Sequence, residues 1–308
     1  MTDLHPARRL WNYLEPIHSV TYFAPGCTTA MADLGLKGFW MGYFASRGAP
    51  FGAVGPAVIE ATFYNFAPGV VRRAIPDAWR FATNEAILTA RAESAAAALR
   101  AAVPGIEQEA ARIVPLLEPA VRAGRLDGRP IFAVNQALGR PADPVAALWQ
   151  CATSLREHRG DGHVAALVAT DVSGIEAHQL VVAGGRINDE LLRSVRGWTT
   201  DEWVAAKDRL LGQGLIDDSG LTTLGRDLVD GLESVTDDLA TQPYRDGLTE
   251  AGMDLLPTLL RPISRALTAS GILPITSPTG VPSDAGHDGR ILAGDRILSL
   301  SDPQESSP

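Results

Sequence analysis

Residues 212–233 read GQGLIDDSGLTTLGRDLVDGLE, and this stretch decides the predicted fold. Gly212 and Gly214 end the helical pattern before them, because glycine is unfavourable inside a helix and common just after one. The apolar pair at 215–216 then leads into DDSG, which is typical of a turn. After Thr222, leucine and valine recur at helical spacing. The stretch therefore predicts the end of a helix, a short hairpin and a long helix.

The rest of the chain is predicted to be mainly α-helical, because apolar residues recur at helical spacing and alternating β-branched runs are nearly absent. Asp143 followed by proline predicts the start of a helix that carries VAALWQCATSLREH. The sequence GDG at 160–162 is predicted to break that helix, with Asp161 capping the next one. Capping boxes at 173–176 and 199–202 indicate two further helix starts.

A helix ending in GLI, a hairpin and the run GLTTLGRDLVDGLE resemble the last half of a winged helix-turn-helix, as in MarR-type regulators. Across residues 6–250, the chain resembles a family of actinobacterial helix-turn-helix proteins. The runs that carry this resemblance are EPIHSVTYFAP, LGLKGFWMGYFASRGAP, ATFYNFAP, IPDAW, REHRGDGHVAALV and RGWTTDEW. The resemblance implies a helix-turn-helix fold and assigns no catalytic residue.

The front half of the chain echoes the back half. The pair LW precedes His18 and His158 by similar distances, and DLGLKGFWMGYFASRG at 33–48 aligns with TDVSGIEAHQLVVAGG at 170–185. This pattern favours two divergent winged helix-turn-helix-like units that arose by internal duplication. The predicted segments are an N-terminal helix-turn-helix-like unit at 1–81, a helical connector at 82–142, a degenerate winged-helix unit at 143–250, a C-terminal helix at 251–276 and a disordered tail at 277–308.

Composition excludes several classes of protein. The 308 residues suffice for about two domains, and 45 % hydrophobic with 20 % charged residues is typical of a soluble globular protein. No apolar run reaches the roughly 18 residues that cross a bilayer, and the first residues lack a secretory signal. We therefore expect a cytoplasmic protein. Cys27 and Cys151 are then expected to be reduced thiols without a metal.

The charge distribution argues against nucleic-acid binding. The net charge is -9, whereas affinity for DNA comes mostly from clustered lysine and arginine. The candidate recognition helix offers Lys207, Arg209 and Gln213 beside several acids, and the hairpin adds Asp217 and Asp218. A phosphate backbone would meet like charge there. We expect DNA contact to be weak, indirect or lost. Other basic residues that could contact DNA are Arg72, Arg73 and Arg80.

The densest polar stretch is SLREHRGDGHVAAL at 154–167. It contains Arg156, Glu157, His158, Arg159, Asp161 and His163. With a helix break at 160–162, the two imidazoles could converge, the arginines could bind a carboxylate or phosphate, and Asp161 could orient one imidazole. In the alternative interpretation, Asp161 is only an N-cap, the arginines pair with Glu157, and the histidines pack at a helix junction.

A second candidate site is the spacing of Glu15 and His18. Residues three apart share a helix face, as in carboxylate-bridged metal bundles, although Pro16 suits a helix start better than its interior. The alternative is an exposed glutamate and a packed histidine. If the two halves are pseudo-symmetric, His18 and His158 would face each other across one cavity. The predicted ligands for iron, manganese or zinc are then Glu15, His18, Glu157, His158 and His163.

Aromatic residues concentrate in the first part of the chain. Core packing is the simplest account, but aromatic walls beside a few polar groups also describe a pocket for a planar ligand such as a polyketide or a haem-like tetrapyrrole. Tyr64 and Asn65 could supply hydrogen bonds within such a pocket. The predicted ligand-binding residues are His18, Tyr22, Tyr64, Asn65, Arg156, His158, Arg159 and His163.

Standard catalytic signatures such as a G-x-S-x-G elbow, a P-loop or a zinc-binding H-E-x-x-H helix are missing from the sequence. The leading hypothesis is therefore a sensor or accessory regulator that holds a small molecule between its two halves. One alternative is a metal- or haem-dependent enzyme with a His/Glu cluster at the same cavity. Another is a DNA-binding transcriptional repressor. We expect any homodimer to form through helices near 223–241 or 249–272.

Overall fold

The structure is a computed structural model that describes residues 4–274, so the tail predicted at 277–308 lies outside the described residues. The helices are α1 (Pro6–Phe23), α2 (Pro25–Asp33), α3 (Gly38–Gly48), α4 (Pro56–Phe63), α5 (Pro68–Ala74), α6 (Ala78–Phe81), α7 (Asn84–Ala102), α8 (Ile106–Ala123), α9 (Pro130–Ala137), α10 (Pro144–Ala169), α11 (Gly174–Ala183), α12 (Asp189–Arg196), α13 (Thr200–Gly212), α14 (Thr223–Gly247) and α15 (Glu250–Ala269). Strands β1 (Ile216–Asp217) and β2 (Gly220–Leu221) form an antiparallel hairpin. The prediction of a mainly α-helical protein is confirmed. In the described part of the chain, no helix combines the length and apolar character needed to cross a membrane.

The largest hydrophobic core joins helices that are far apart in the sequence. It collects apolar side chains from α1, α7, α8, α10, α14 and α15, with Trp149 of α10 fully buried. The segment predicted as a connector, 82–142, supplies α7 and α8 to this core. Helix α15 packs Leu256, Leu260 and Ile263 into it, so its apolar face is used within the chain. A homodimer through this helix would have to use another face.

A second core lies in the front of the chain, between α3, α4 and α5. Phe44 stacks on Phe63 with ring centroids 6.0 Å apart and meets Phe66 edge-on at 5.1 Å. These rings are buried together with Ile59 and Val71. Aromatic pairs in such geometries stabilise a core beyond the area that they bury. Core packing therefore accounts for this aromatic group.

The winged half, residues 174–247, contains three helices, the hairpin and α14 in that order. Both predicted capping boxes are present, at 173–176 and 199–202. Gly225 lets the start of α14 approach the hairpin, because a Cβ there would lie 1.9 Å from the backbone oxygen of Leu215. The order of elements agrees with the winged-helix prediction, and a specific relation to MarR-type regulators stays a prediction.

Helix α10 is continuous, so the predicted break at 160–162 is wrong. A helical glycine normally costs about 1 kcal/mol relative to alanine. Packing favours glycine at 162, because a Cβ there would lie 2.7 Å from Nη1 of Arg129, whose hydrogen bonds to the backbone of His158 and Leu239 hold it in place. Through this gap Arg129 donates a hydrogen bond to the backbone carbonyl of His158. The glycine therefore marks a close side-chain approach rather than the end of a helix.

Candidate functional site

A buried polar region lies where α1, α3, α7, α9 and α10 meet. It surrounds a small, partly open space with room for about one water molecule, which we call the central cavity. The side chains that line the cavity are His18, Thr21, Tyr22, Ser46, Arg47, Arg91, Asn135, Trp149, Thr153 and Glu157. The sequence analysis identified His18, Tyr22 and Glu157 from this set.

Helical spacing brings the lining residues of α10 and α1 onto facing surfaces. Trp149, Thr153 and Glu157 are each four residues apart and share one face of α10. His18 and Tyr22 have the same spacing on α1. The indole N–H of Trp149 donates to the backbone carbonyl of His18 over 3.1 Å, which fixes the two helices together beside the cavity.

Glu157 is the centre of a buried ion-pair network. Arg47 of α3 donates two hydrogen bonds to its carboxylate, each of 2.9 Å, and Arg156 donates a third of 2.9 Å. Arg156 also pairs with buried Glu15 at 3.2 Å. Burial would raise the pKa of Glu157, but the charges of Arg47 and Arg156 hold it well below its usual range. Glu157 is therefore a carboxylate that ties α3 to α10.

His18 is a neutral part of the cavity wall. Its Nδ1 lies 3.0 Å from Oγ1 of Thr153, and its Nε2 lies 3.1 Å from the hydroxyl of Tyr22. Burial, together with the charge of Arg156, lowers the pKa of His18 well below its usual value. One ring nitrogen therefore donates and the other accepts. Burial also raises the pKa of Tyr22, so its hydroxyl keeps its proton.

Arg91 of α7 reaches the cavity without an acidic partner. It donates to the backbone carbonyl of Ser46 over 2.8 Å and to Oδ1 of Asn135 over 2.9 Å. Its guanidinium lies 5.2 Å from the ring centroid of Trp149. Among residues 4–274, no carboxylate lies within 4.0 Å of Arg91 to form an ion pair. Burial lowers the pKa of Arg91 to about 10, which leaves it charged at neutral pH.

The other predicted residues of α10 do not line the cavity. His158 meets the ring of Phe132 edge-on at 4.8 Å, and burial lowers its pKa to about 3. Arg159 and His163 face α14, where Arg159 forms ion pairs and Nδ1 of His163 lies 3.0 Å from Oγ1 of Thr236. The prediction that His18 and His158 face each other across one cavity is therefore wrong. It depended on a helix break, whereas a continuous helix turns successive residues to different sides.

Tyr64 and Asn65 lie at the contact between the front of the chain and the winged half. The hydroxyl of Tyr64 donates to the backbone carbonyl of Val172 over 2.7 Å. The backbone carbonyl of Asn65 accepts the indole N–H of Trp198 over 3.2 Å. Gly174 fits closely here, since a Cβ would lie 2.2 Å from the backbone oxygen of Tyr64. These two residues join parts of the protein and are not part of the cavity wall.

The predicted metal set is not assembled. In the described part of the chain, no three His, Cys, Asp or Glu side chains are grouped so as to hold a metal ion. Glu15 and Glu157 are occupied by arginines, while His18 bonds to hydroxyl groups. The space as it stands holds about one water molecule, so a haem-like tetrapyrrole, like any larger ligand, would fit only if the wall opened. Cys27 and Cys151 are free, buried thiols, and burial raises the pKa of each.

Several residues that line the cavity were not predicted from the sequence. Arg91 occupies the buried line of α7 that also carries Ile87, Ala95 and Leu99, at spacings of four. A lone arginine on an apolar helix face was the available signal. Arg47, at the end of the apolar run GFWMGYFASRG, carried the same signal. Asn135 gave none, because its role depends on tertiary contact with Arg91.

The exposed face of the winged half is acidic. Asp201, Asp208 and Lys207 are exposed on α13, while Arg209 donates to Glu176 over 2.8 Å. The hairpin turn adds Asp217 and Asp218, both exposed. Basic groups are few on this surface and one of them is already paired, so weak DNA contact stays a prediction.

A family model described as a helix-turn-helix family matches residues 7–274. The match spans nearly all of the described residues, so it includes both the central cavity and the winged half. No curated protein and no solved structure matches the chain.

Proposed function

Because the chain belongs to the helix-turn-helix family, we propose that it is an accessory regulator that senses a small molecule at the central cavity. In this proposal, the winged half transmits the signal rather than reading DNA directly. The observation that carries the proposal is the ion-pair network of Arg47, Arg156, Glu157 and Glu15 beside the central cavity.

Buried charges support a binding role because they are expensive to keep. Removing an ion from water costs several kcal/mol, and a buried pair often contributes no more stability than apolar side chains of the same size. Perturbed ionisable groups around a cavity are therefore candidates for function. Here the pKa values of His18, Glu157 and Arg91 all depart from their ordinary values around one space.

Helix α10 offers a route from the cavity to the winged half. Its Glu157 faces the cavity, and its Arg159 pairs with Glu233 and Asp237 on α14. Helix α14 follows the hairpin after one residue. A ligand that bound one position of α10 more tightly than another would shift the population toward that position. The shift would reach the hairpin through α14.

In this proposal the protein has a closed state and an open state. The present space accepts about one water molecule, so a larger ligand requires the wall to open. Tyr22 of α1 and Arg47 of α3 form part of this wall. Movement of α1 or α3 away from α10 would enlarge the cavity, and the ion pair between Arg47 and Glu157 resists that movement.

A thermal-shift screen with a library of small metabolites tests the proposal. A compound that binds at the cavity raises the melting temperature of the wild-type protein. The matched variants are His18→Gln, which changes the cavity wall, and His158→Gln, which changes a buried histidine that packs on Phe132 instead. We expect the response to be lost in His18→Gln and kept in His158→Gln.

The same screen can contradict the proposal in two ways. If no compound stabilises the wild-type protein, sensing at this site is not supported. If every stabilising compound acts equally on wild type and His18→Gln, binding occurs elsewhere. Mobility-shift assays at low salt address the DNA-binding alternative, and strong salt-dependent binding by the wild-type protein would favour a repressor.

A further inference from the structure

The ionised side chains around the central cavity do not balance. Two guanidinium groups line it, those of Arg47 and Arg91, and they face one lining carboxylate, that of Glu157. Arg47 and Arg156 share Glu157, and Arg156 also pairs with Glu15. His18 adds no charge, because burial keeps it neutral. The lining of the cavity therefore carries one more positive than negative charge.

That charge belongs to Arg91. Its side chain is 4 % exposed, and its hydrogen-bond partners are a backbone carbonyl and an amide oxygen, both neutral. A guanidinium carries five N–H donors and matches carboxylate geometry with two parallel bonds. A buried cation without an anion is costly, and a bound anion would remove that cost. Burial has already lowered the pKa of Arg91, which an anion would reverse.

Resting on the proposed function, we infer that the central cavity binds the carboxylate group of a small organic monoanion, with Arg91 as its counter-ion. The neutral groups around the same space complete the site. Thr153, Tyr22 and His18 offer hydroxyl and imidazole donors, and the ring of Trp149 forms an apolar wall. One negative charge would balance this excess, and the planar guanidinium of Arg91 matches the two oxygens of a carboxylate.

Binding of simple carboxylates tests the inference. The probes are acetate and benzoate, with acetamide and benzamide as neutral compounds of the same shape. Each is titrated by thermal shift at constant ionic strength set with sodium chloride. We expect both carboxylates to raise the melting temperature of the wild-type protein and both amides to leave it unchanged.

Two variants assign the effect to Arg91. Arg91→Met removes the charge at similar size, and we expect its affinity for benzoate to fall at least about tenfold. Asn135→Asp keeps Arg91 but puts a carboxylate where Oδ1 of Asn135 now lies, 2.9 Å from the guanidinium. We expect this internal anion to abolish the benzoate response, although the variant also loses the hydrogen bond that Nδ2 of Asn135 donates to the backbone carbonyl of Ile131. Arg72→Met, at an exposed ion pair, is the control and should respond like wild type.

The outcomes separate this inference from the proposed function. Equal binding of amides and carboxylates, or an unchanged benzoate response in Asn135→Asp, overturns the carboxylate assignment. Stabilisation by inorganic phosphate but by neither carboxylate also overturns it. In each of these cases, metabolites that lose their effect in His18→Gln would still support sensing at the cavity. If Arg91→Met does not fold, Asn135→Asp decides the matter, because it preserves every side chain of the network except one amide.

Discussion

The central cavity and the winged half carry charges of opposite sign in opposite settings. Two arginines line the cavity, Arg47 and the buried Arg91, against one carboxylate, that of Glu157. On the winged half, carboxylates are exposed on α13 and at the hairpin turn. A helix-turn-helix that binds DNA needs lysine and arginine on its exposed surface instead of carboxylates. The fold of the family therefore does not by itself assign DNA binding to this protein, because function depends on the site and not on the architecture.

The largest expected effect comes from breaking the buried network. Glu157→Gln leaves Arg47 and Arg156 buried with less negative charge to balance them. Removing one partner of a buried ion pair typically costs about 3–5 kcal/mol. We expect a loss of this size in the free energy of unfolding, measured by urea denaturation.

The matched control is Glu60→Gln, which breaks the ion pair with Arg72. That pair is 2.7 Å long, but the side chain of Arg72 is 65 % exposed. Exposed pairs contribute about 0–1 kcal/mol. If Glu157→Gln destabilised the protein no more than Glu60→Gln does, the buried network would not be the stabilising link between α3 and α10.

The buried carboxyl group of Asp161 predicts a second difference, in how the free energy of unfolding depends on pH. Asp161 accepts the N–H of Phe132 over 2.9 Å, and burial raises the pKa of Asp161 to about 7. The folded protein therefore holds a proton that the unfolded chain has released, and stability falls as pH rises from about 4 to 7. Asp161→Asn should remove this fall and make the protein about 2–4 kcal/mol more stable than wild type at pH 8. Urea denaturation at pH 5 and pH 8 measures the difference.

An exposed acid provides the control. Ser219 donates to Asp217 at the hairpin turn, and these hydrogen bonds lower the pKa of Asp217. Its contribution to stability is present above its ordinary pKa and is lost only as pH falls below that value. Asp217→Asn should therefore leave the change between pH 5 and pH 8 as in wild type. An unaltered pH dependence in Asp161→Asn would show that Asp161 is ionised in the folded protein.

Local patterns predicted most of the fold. The capping boxes at 173–176 and 199–202 and the hairpin turn depend on neighbouring residues, and all are present. The site was harder to predict because its residues meet only through tertiary packing. Gly162 was taken as a helix breaker, although it packs against Arg129, which lies just before α9. Arg91 could be noticed on its apolar helix face, but no local rule reveals that it lacks a carboxylate partner.

Gly162 and Gly231 lie within helices, and replacing either of them with alanine is expected to change the free energy of unfolding by a smaller amount. Gly162→Ala introduces a Cβ 2.7 Å from Nη1 of Arg129, whose hydrogen bonds hold it in place. Overpacking of this kind typically costs about 1–3 kcal/mol. Gly231→Ala on α14 meets nothing within 4 Å and should instead stabilise the protein by about 0.5–1 kcal/mol. Urea denaturation of both variants gives opposite signs if Gly162 is a packing glycine, and a gain in both would contradict this.

The smallest expected effect is a change in DNA binding when the exposed acidic face of the winged half is altered. Replacing Asp201, Asp208 and Asp218 together with lysine turns the acidic face of the winged half basic. Each new cation that contacts a phosphate should steepen the salt dependence of duplex binding by about 0.9 in log–log slope. We expect the wild-type protein to show no binding in a mobility-shift assay at low salt and the variant to bind weakly and without sequence preference.

Total charge alone could produce that result, so a second triple variant is needed. Asp33, Glu93 and Asp127 are exposed outside the winged half, and their replacement by lysine changes the net charge by the same amount. If the winged half has the shape of a DNA-binding surface and only its charge prevents contact, the first variant binds duplex DNA more tightly than the second. A surface that docks on DNA binds more tightly when positive charge is added to that surface, whereas nonspecific attraction depends only on total charge. Equal binding by the two variants would therefore mean that the geometry of the winged half, as well as its charge, is unsuited to DNA.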